Sequence, residues 1–323
     1  MEALRPLTLG EIIDRAVSFW RTRWRPMFVI YLGWALAGFA AFRGSMLIAA
    51  AAYPEVRAFT GSFAEMKVIR NADPVVLMKG AAVLSVGLLL YVLIGSLGSI
   101  AVTRYAAFEY LGVQVTPRDA IREGARRSPA AIALFLISMM WTGLVVALAM
   151  LPGAALTFFA ARAESVVGVT VGLLLAFAGN VVAVLWSILR FFLTSQLVAM
   201  EDVPLWRLFV RSGQLTSGRV APGPFGFVKV RLTVLLTVMG LVILMVSMIG
   251  SVPTFVLQLV FLPNAPPWFL SVPFELLDTV FTSLISPIYV VFQTLVYLDM
   301  RVRREGLDLK LKLSSAQEAL KAA

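Results

Sequence analysis

Twenty consecutive residues, Thr279–Leu298, carry no charge. In a helix they extend roughly 30 Å at about 1.5 Å per residue, the thickness of a bilayer's hydrocarbon core. The chain then changes character at once, to Asp299-Met300-Arg301-Val302-Arg303-Arg304-Glu305-Gly306. An apolar span closed by a run of arginines is the pattern of a membrane helix ending in the cytoplasm. The rest of the sequence has the same texture, with 60% of 323 residues hydrophobic and 14% charged. Soluble domains carry about 25% charged residues. So much apolar surface has to face lipid, and the fold class expected is an all-α integral membrane protein.

Six apolar segments lie near 27–52, 76–102, 130–157, 166–189, 232–262 and 279–298. The arm before them and three connections or tails hold five, five, six and six Lys and Arg, whereas the alternate connections hold three, one and none. Basic residues accumulate on the cytoplasmic side of a membrane. The split of 22 against 4 therefore predicts both termini inside, in agreement with an even number of spans. It also accounts for the net charge of +10, which would line an anionic membrane face; no nucleic-acid partner is expected. The first 26 residues carry eight charges and no apolar core of a secretory signal.

The segments read as three hairpins, each preceded by a cytoplasmic amphipathic helix. In the first such helix, within residues 1–26, Thr8 and Glu11 have the spacing of a capping box. Leu9, Ile12, Ile13, Ala16, Val17, Trp20 and Trp24 then recur at helical spacing. Two placements follow: on the membrane surface, with Trp20 and Trp24 at headgroup level, or against the protein's own cytoplasmic face. Pro26 is expected to turn the chain into the bilayer. The second surface helix starts at Thr116-Pro117, and the third near Asp202-Val203-Pro204. The stretch Pro266–Asp278 reads as an interfacial turn or half-helix. Residues 27–298 thus make the bundle and 299–323 a basic cytoplasmic tail. In that tail Leu307, Leu309, Leu311 and Leu313 alternate with polar residues, favouring a strand or a segment lying along the membrane.

Cysteine and histidine are both absent, which removes thiolate and imidazole chemistry. No paired carboxylates, nucleophile–base set or metal cluster appears in the cytoplasmic connections, so neither an enzyme nor a cofactor is expected. The costly residues are charges at membrane depth. Arg43 and Lys79 are cations, and Glu275 and Asp278 anions, all expected in the outer half. Either they pair around a polar cavity, or the cations reach the headgroups and the acids sit in water. If a pair forms, Arg43 is directed at Asp278 or Glu275 and the first and sixth spans are neighbours. Arg104 and Arg190 read as interfacial anchors. Gly168-x3-Gly172 fits close helix packing.

Two ends of the chain carry a resemblance. Arg5-Pro6-Leu7-Thr8-Leu9-Gly10-Glu11-Ile12-Ile13-Asp14-Arg15-Ala16 resembles the opening of the bacterial glycerophosphodiester phosphodiesterase membrane-domain family. Ser286-Pro287-Ile288, with Tyr297, Asp299, Arg301, Arg303, Glu305, Gly306 and Asp308, is similar to its closing motif. The resemblance implies a membrane bundle in the bacterial cytoplasmic (inner) membrane. In some members that bundle is fused to a barrel hydrolase with catalytic histidines; with no histidine here, that domain is not expected. The expected function is a non-enzymatic scaffold or regulator of an envelope or lipid-related system, acting through its basic cytoplasmic face. Its partners would be anionic lipid headgroups and a protein at the cytoplasmic helices or tail. The alternative is a transporter or lipid translocator with a polar cavity in the outer half.

Overall fold

The structure is a computed structural model and describes residues 5–53, 73–220, 222–223, 226–261, 268–309 and 313. Among them nine helices follow in order: α1 Leu9–Ala52, α2 Pro74–Tyr110, α3 Pro117–Arg126, α4 Ser128–Arg162, α5 Val166–Phe191, α6 Thr194–Met200, α7 Leu205–Thr216, α8 Val228–Phe261 and α9 Trp268–Glu305. Six stretches are long and apolar enough to cross a membrane: α1, α2, α4, α5 continued by α6, α8 and α9. No strand occurs among the described residues, only an isolated bridge between Arg219 and Phe227.

The chain forms two compact units. One comprises chiefly Leu7–Ser128 and Thr237–Val296, the other Pro129–Leu236 and the chain from Tyr297. Helices α8 and α9 contribute to both.

In the first unit α1 and α2 run side by side, and small residues set their distance. A Cβ at Gly38 would lie 3.2 Å from the Tyr91 ring, and one at Gly98 would lie 3.0 Å from Trp34 Cβ. In the second unit α4 and α5 are closer still. A Cβ at Gly172 would fall 2.6 Å from Thr157 N, and one at Gly168 would fall 2.6 Å from Ala160 Cβ. Small residues are how apolar helices gain contact where lipid supplies no hydrophobic drive. The outward faces stay apolar because lipid is their solvent: Leu173, Leu174, Phe177 and Val182 of α5 are all exposed.

Burial is concentrated toward the Lys/Arg-rich ends of the helices. On α8 the buried residues Val228, Leu232, Leu235 and Met239 form one helical stripe, and the residues beyond are largely exposed. Helix α9 is different: half of its most apolar stretch is buried, against 11–22% in the other five. Every residue from Val290 to Met300 is buried, so this stretch of the helix is enclosed on all sides, whereas Phe269 and Leu277 nearer its start are exposed.

Three boundaries differ from the sequence reading. The first surface helix and first span are one element, α1, whose only non-helical backbone is at Arg23 (φ −124°, ψ 20°). Pro26 explains the position, since its ring removes the donor to Thr22 O and crowds that carbonyl. The Thr22 hydroxyl donates to Ser18 O and Phe19 O in the preceding turn. Second, residues 268–278 are no separate turn; α9 runs through Pro273 without a break. Pro266 and Pro267 lie outside the described residues. Third, the alternating tail is helical at residues 307–309. A lone strand leaves its backbone N–H and C=O groups unpaired, whereas a helix satisfies them internally. Residues 310–312, where the alternation continues, lie outside the described residues.

Glu164 closes α4 with a left-handed backbone (φ 52°), and the N–H groups of Glu164 and Ser165 bond to Ala161 O and Ala160 O. A non-glycine residue there costs about 1–2 kcal/mol, so Glu164→Gly is expected to raise the unfolding midpoint in detergent. Gly172→Val is expected to lower stability by about 1–3 kcal/mol through overpacking against Thr157. Equal midpoints for Gly172→Val and the parent protein would show that α4 and α5 are not in this contact.

Candidate functional site

Two sets of charged side chains merit a functional account. The first is in the unit containing Leu7–Ser128. Arg43 Nη2 lies 2.9 Å from Glu275 Oε1 and donates to Ser271 Oγ at 2.8 Å. Ser271 and Glu275 are four residues apart and share one face of α9, so a single guanidinium bridges one helical turn. Asp278, one turn further on, takes no part in this arrangement. Lys79 is exposed near the start of α2 and does not join it either. Of the four expected charges, two meet, and α1 and α9 are adjacent at that level. The pair is partly open, with Arg43 19% and Glu275 30% exposed.

The second set is built on the last two turns of α9, in the other unit. Tyr297, Arg301 and Glu305 recur every four residues on one face, and Asp299 and Arg303 on another. The first face closes a ring with residues distant in sequence. Tyr297 Oη donates to Glu201 Oε1 at 2.9 Å, Glu201 pairs with Arg211, and Arg211 Nη2 lies 2.7 Å from Glu305 Oε1. Arg301 Nε then meets Glu305 Oε2 at 3.1 Å, and its Nη1 donates back to Tyr297 Oη at 3.2 Å. Burial draws the Arg211 guanidinium down, but its hydrogen bond to Glu201 and the charges of Glu201 and Glu305 raise it above its ordinary value.

The second face holds a buried triad. Asp299 has no exposed side-chain surface; Arg231 Nη2 is 3.1 Å from its Oδ2, and Arg303 Nε is 3.0 Å from its Oδ1. Arg304 donates to the backbone carbonyls of Gln214 and Ser217 at the end of α7. Gly306 ends the helix in the left-handed conformation (φ 59°), with its N–H on Val302 O. Asp308 lies beyond this turn and joins neither face.

The surface-helix residues have protein partners. Thr8 and Glu11 exchange both bonds of the capping box: Thr8 N donates to Glu11 Oε2 at 2.8 Å and Glu11 N to Thr8 Oγ1 at 3.3 Å. Trp20 donates its indole N–H to Leu284 O at 3.0 Å, next to Ser283, whose carbonyl has no helical donor because Pro287 lacks an N–H. Ile12 and Ala16 are fully buried. Trp24 is 37% exposed, with the Arg25 guanidinium 5.5 Å from its ring.

Sequence reasoning missed Glu201, Arg211 and Arg231, the partners of the closing motif. One signal was available: Glu201 and Asp202 are the only acids among residues 190–231, which hold six basic residues. No group of three or more metal-ligating side chains occurs among the described residues. Compared with protein-family models, curated proteins and solved structures, the chain matches none.

Removing one member of a buried ion set strands its partners, at about 3–5 kcal/mol. Asp299→Ala is expected to cost that much in thermal or denaturant unfolding, while Arg207→Ala, at an exposed position, is expected to stay within about 0.5 kcal/mol. For the other set, a double-mutant cycle of Arg43→Leu and Glu275→Gln is expected to show coupling, and one of Arg43→Leu with Asp278→Asn none. Strict additivity in the first cycle would refute the pair.

Proposed function

We propose that the protein is a non-enzymatic multi-pass component of the bacterial cytoplasmic membrane that scaffolds or regulates an envelope or lipid-related system through its basic face. The observation that carries this reading is the split of 22 Lys and Arg against 4 between alternate connections. By the positive-inside rule it orients both termini toward the cytoplasm. Many of those 22 are committed internally: Arg211, Arg231, Arg301 and Arg303 pair with acids. Others are free to meet a partner or an anionic lipid surface. Arg118 and Arg122 are exposed on α3, and Arg207 is exposed on α7 beside Trp206, itself 70% exposed. Helix α3 is a short helix capped by Thr116, whose side chain accepts from Asp119 N; α7 is of similar length. Together with the start of α1 they would make three surface helices on the cytoplasmic side.

The resemblance to the glycerophosphodiester phosphodiesterase membrane-domain family supports an envelope setting, and the closing motif that carries it has a structural occupation in the ring and triad on α9. Tyr297, Asp299, Arg301, Arg303 and Glu305 are paired with one another and with Glu201, Arg211 and Arg231, which favours a rigid organising element over a catalytic centre.

A second reading, a transporter or lipid translocator, is favoured by one observation. Arg43 and Glu275 form a partly exposed ion pair inside helices of spanning length, where such charges commonly mark a polar path.

Single cysteines separate the orientations. Ala125→Cys and Ser217→Cys are expected to be shielded from an impermeant maleimide in intact cells, and Ala163→Cys to be labelled. Crosslinking from the α3 and α7 surfaces, followed by identification of partners, then tests the scaffold. Labelling of Ala125→Cys from outside would refute the topology. Substrate movement by the purified protein in liposomes, abolished by Arg43→Leu, would replace the scaffold with the transporter.

A further inference from the structure

Two cations lie near one ring at the Lys/Arg-rich end of α5. Arg190 Cζ is 5.3 Å and Lys229 Nζ 5.4 Å from the centre of the Trp186 ring. Arg190 is also ringed by Trp141 at 5.7 Å, Phe209 at 5.4 Å and Phe191 at 5.9 Å. These groups come from α4, α5, α7 and the first turn of α8, all within one compact unit.

The charges here do not balance. Other cations of the same unit, Arg211, Arg231, Arg301 and Arg303, each have a carboxylate within reach. Arg190 and Lys229 have no carboxylate partner among the described residues; the Arg190 Nε is buried without a hydrogen-bond partner, as are those of Arg211 and Arg231. The aromatic rings compensate only weakly, since cation–π attraction is small beside a charge-assisted hydrogen bond. Arg190 gains something from the negative end of the α5 dipole, but Lys229 stands in the first turn of α8, where a cation is disfavoured. Two like charges beside one indole, neither with a carboxylate, describe the protein half of an anion site.

We propose that Arg190 and Lys229 bind a phosphate group, with Trp186 beside both cations and Trp141 and Phe209 as apolar walls. A guanidinium fork suits two phosphate oxygens and an ammonium a third. The rings exclude water from one side, which strengthens both interactions. Trp206 stacks on Phe209 (5.5 Å, 15°) while remaining 70% exposed, the behaviour of an indole at a membrane–water interface. The phosphate is carried by an anionic lipid headgroup or by a soluble phosphate ester; both present the same oxygens. The proposal rests on the scaffold's orientation only for which leaflet would supply a lipid.

Two probes separate the sources, using the full chain purified in detergent. Native mass spectrometry with added phosphatidylglycerol or phosphatidylcholine reads lipid retention, and the unfolding midpoint in glycerol 3-phosphate reads the soluble ester. For a lipid ligand, retention of one phosphatidylglycerol in preference to phosphatidylcholine is expected. It should fall about tenfold or more in Arg190→Gln and in Lys229→Met, as loss of a charge-assisted contact implies, and should persist in Arg207→Gln. For a soluble ligand, glycerol 3-phosphate raises the midpoint of the parent protein and of Arg207→Gln but not of the two site variants. Gly213→Leu gives a third handle, because a Cβ there would lie 3.2 Å from Arg190 Nη1 and displace the guanidinium without removing its charge. Should Arg190→Gln fail to fold, Lys229→Met and Gly213→Leu decide. If neither probe distinguishes the site variants from the parent, or Arg207→Gln loses as much as they do, the site does not exist. The cysteine-labelling pattern is independent of that outcome, so a failed orientation and a failed phosphate site are told apart.

Discussion

Asp299 is a carboxylate with no exposed side-chain surface, and much of this structure follows from that constraint. A buried charge needs partners, and leaving it alone costs more than the fold of a domain can readily spare. Arg303 supplies one partner from the same helix, and Arg231 brings another from the start of α8. The neighbouring face of α9 is tied down in the same way. There Tyr297, Glu201, Arg211, Glu305 and Arg301 form a closed circuit in which each member touches the next. The last two turns of α9 therefore hold the connection after α6, the middle of α7 and the beginning of α8. Because α9 itself is enclosed from Val290 to Met300, these contacts are anchored in the interior.

The two ends of the helices obey different solvents. Toward the Lys/Arg-rich ends, water makes burial of apolar side chains favourable, and the buried residues gather there, as in the stripe Val228, Leu232, Leu235 and Met239. Along the spans, lipid is as apolar as leucine, so contact depends on close approach. Gly153, Gly172 and Gly179 bring α4 and α5 near enough for backbone to touch backbone, and Leu173, Leu174 and Phe177 can stay exposed without penalty. Polar side chains within the spans mostly bond to a carbonyl one turn back, as Ser138 does to Leu134 O and Thr157 to Gly153 O. Arg43 has no such local option and reaches across to Glu275 and Ser271.

The basic residues fall into two populations that composition alone merges. One is consumed in internal ion pairs, within α9 or between it and other segments, and includes Arg211, Arg231, Arg301 and Arg303. The other is exposed, as with Arg118, Arg122 and Arg207. Only the second is available to lipid or to a partner. Arg190 and Lys229 belong to neither, which is why a ligand is the natural complement to their charge.

By itself the sequence determined the class of fold and the number of spanning stretches. Long runs without charge leave the backbone no way to satisfy its hydrogen bonds in lipid except as helices. Local rules also sufficed for the capping box at Thr8 and Glu11 and for the start of α3 at Pro117, because those depend on residues three or four apart. The same locality failed at the edges. Pro26 was legible as a break but not as a kink inside one continuous helix, and the alternation after Gly306 mimicked a strand that has no neighbour to pair with. Depth along a helix narrowed the partners of Arg43 to Glu275 and Asp278, and only the placement of Ser271 and Glu275 on the face toward α1 chose between them. Tertiary structure alone decided what completes the stretch Tyr297–Glu305. Its charges are spaced to pair along α9, yet Asp299 and Glu305 are completed by Arg231 and Arg211, which lie 68 and 94 residues away. Periodicity within a single helix carries no information about such partners, because it is the folding of distant segments onto α9 that brings them into reach.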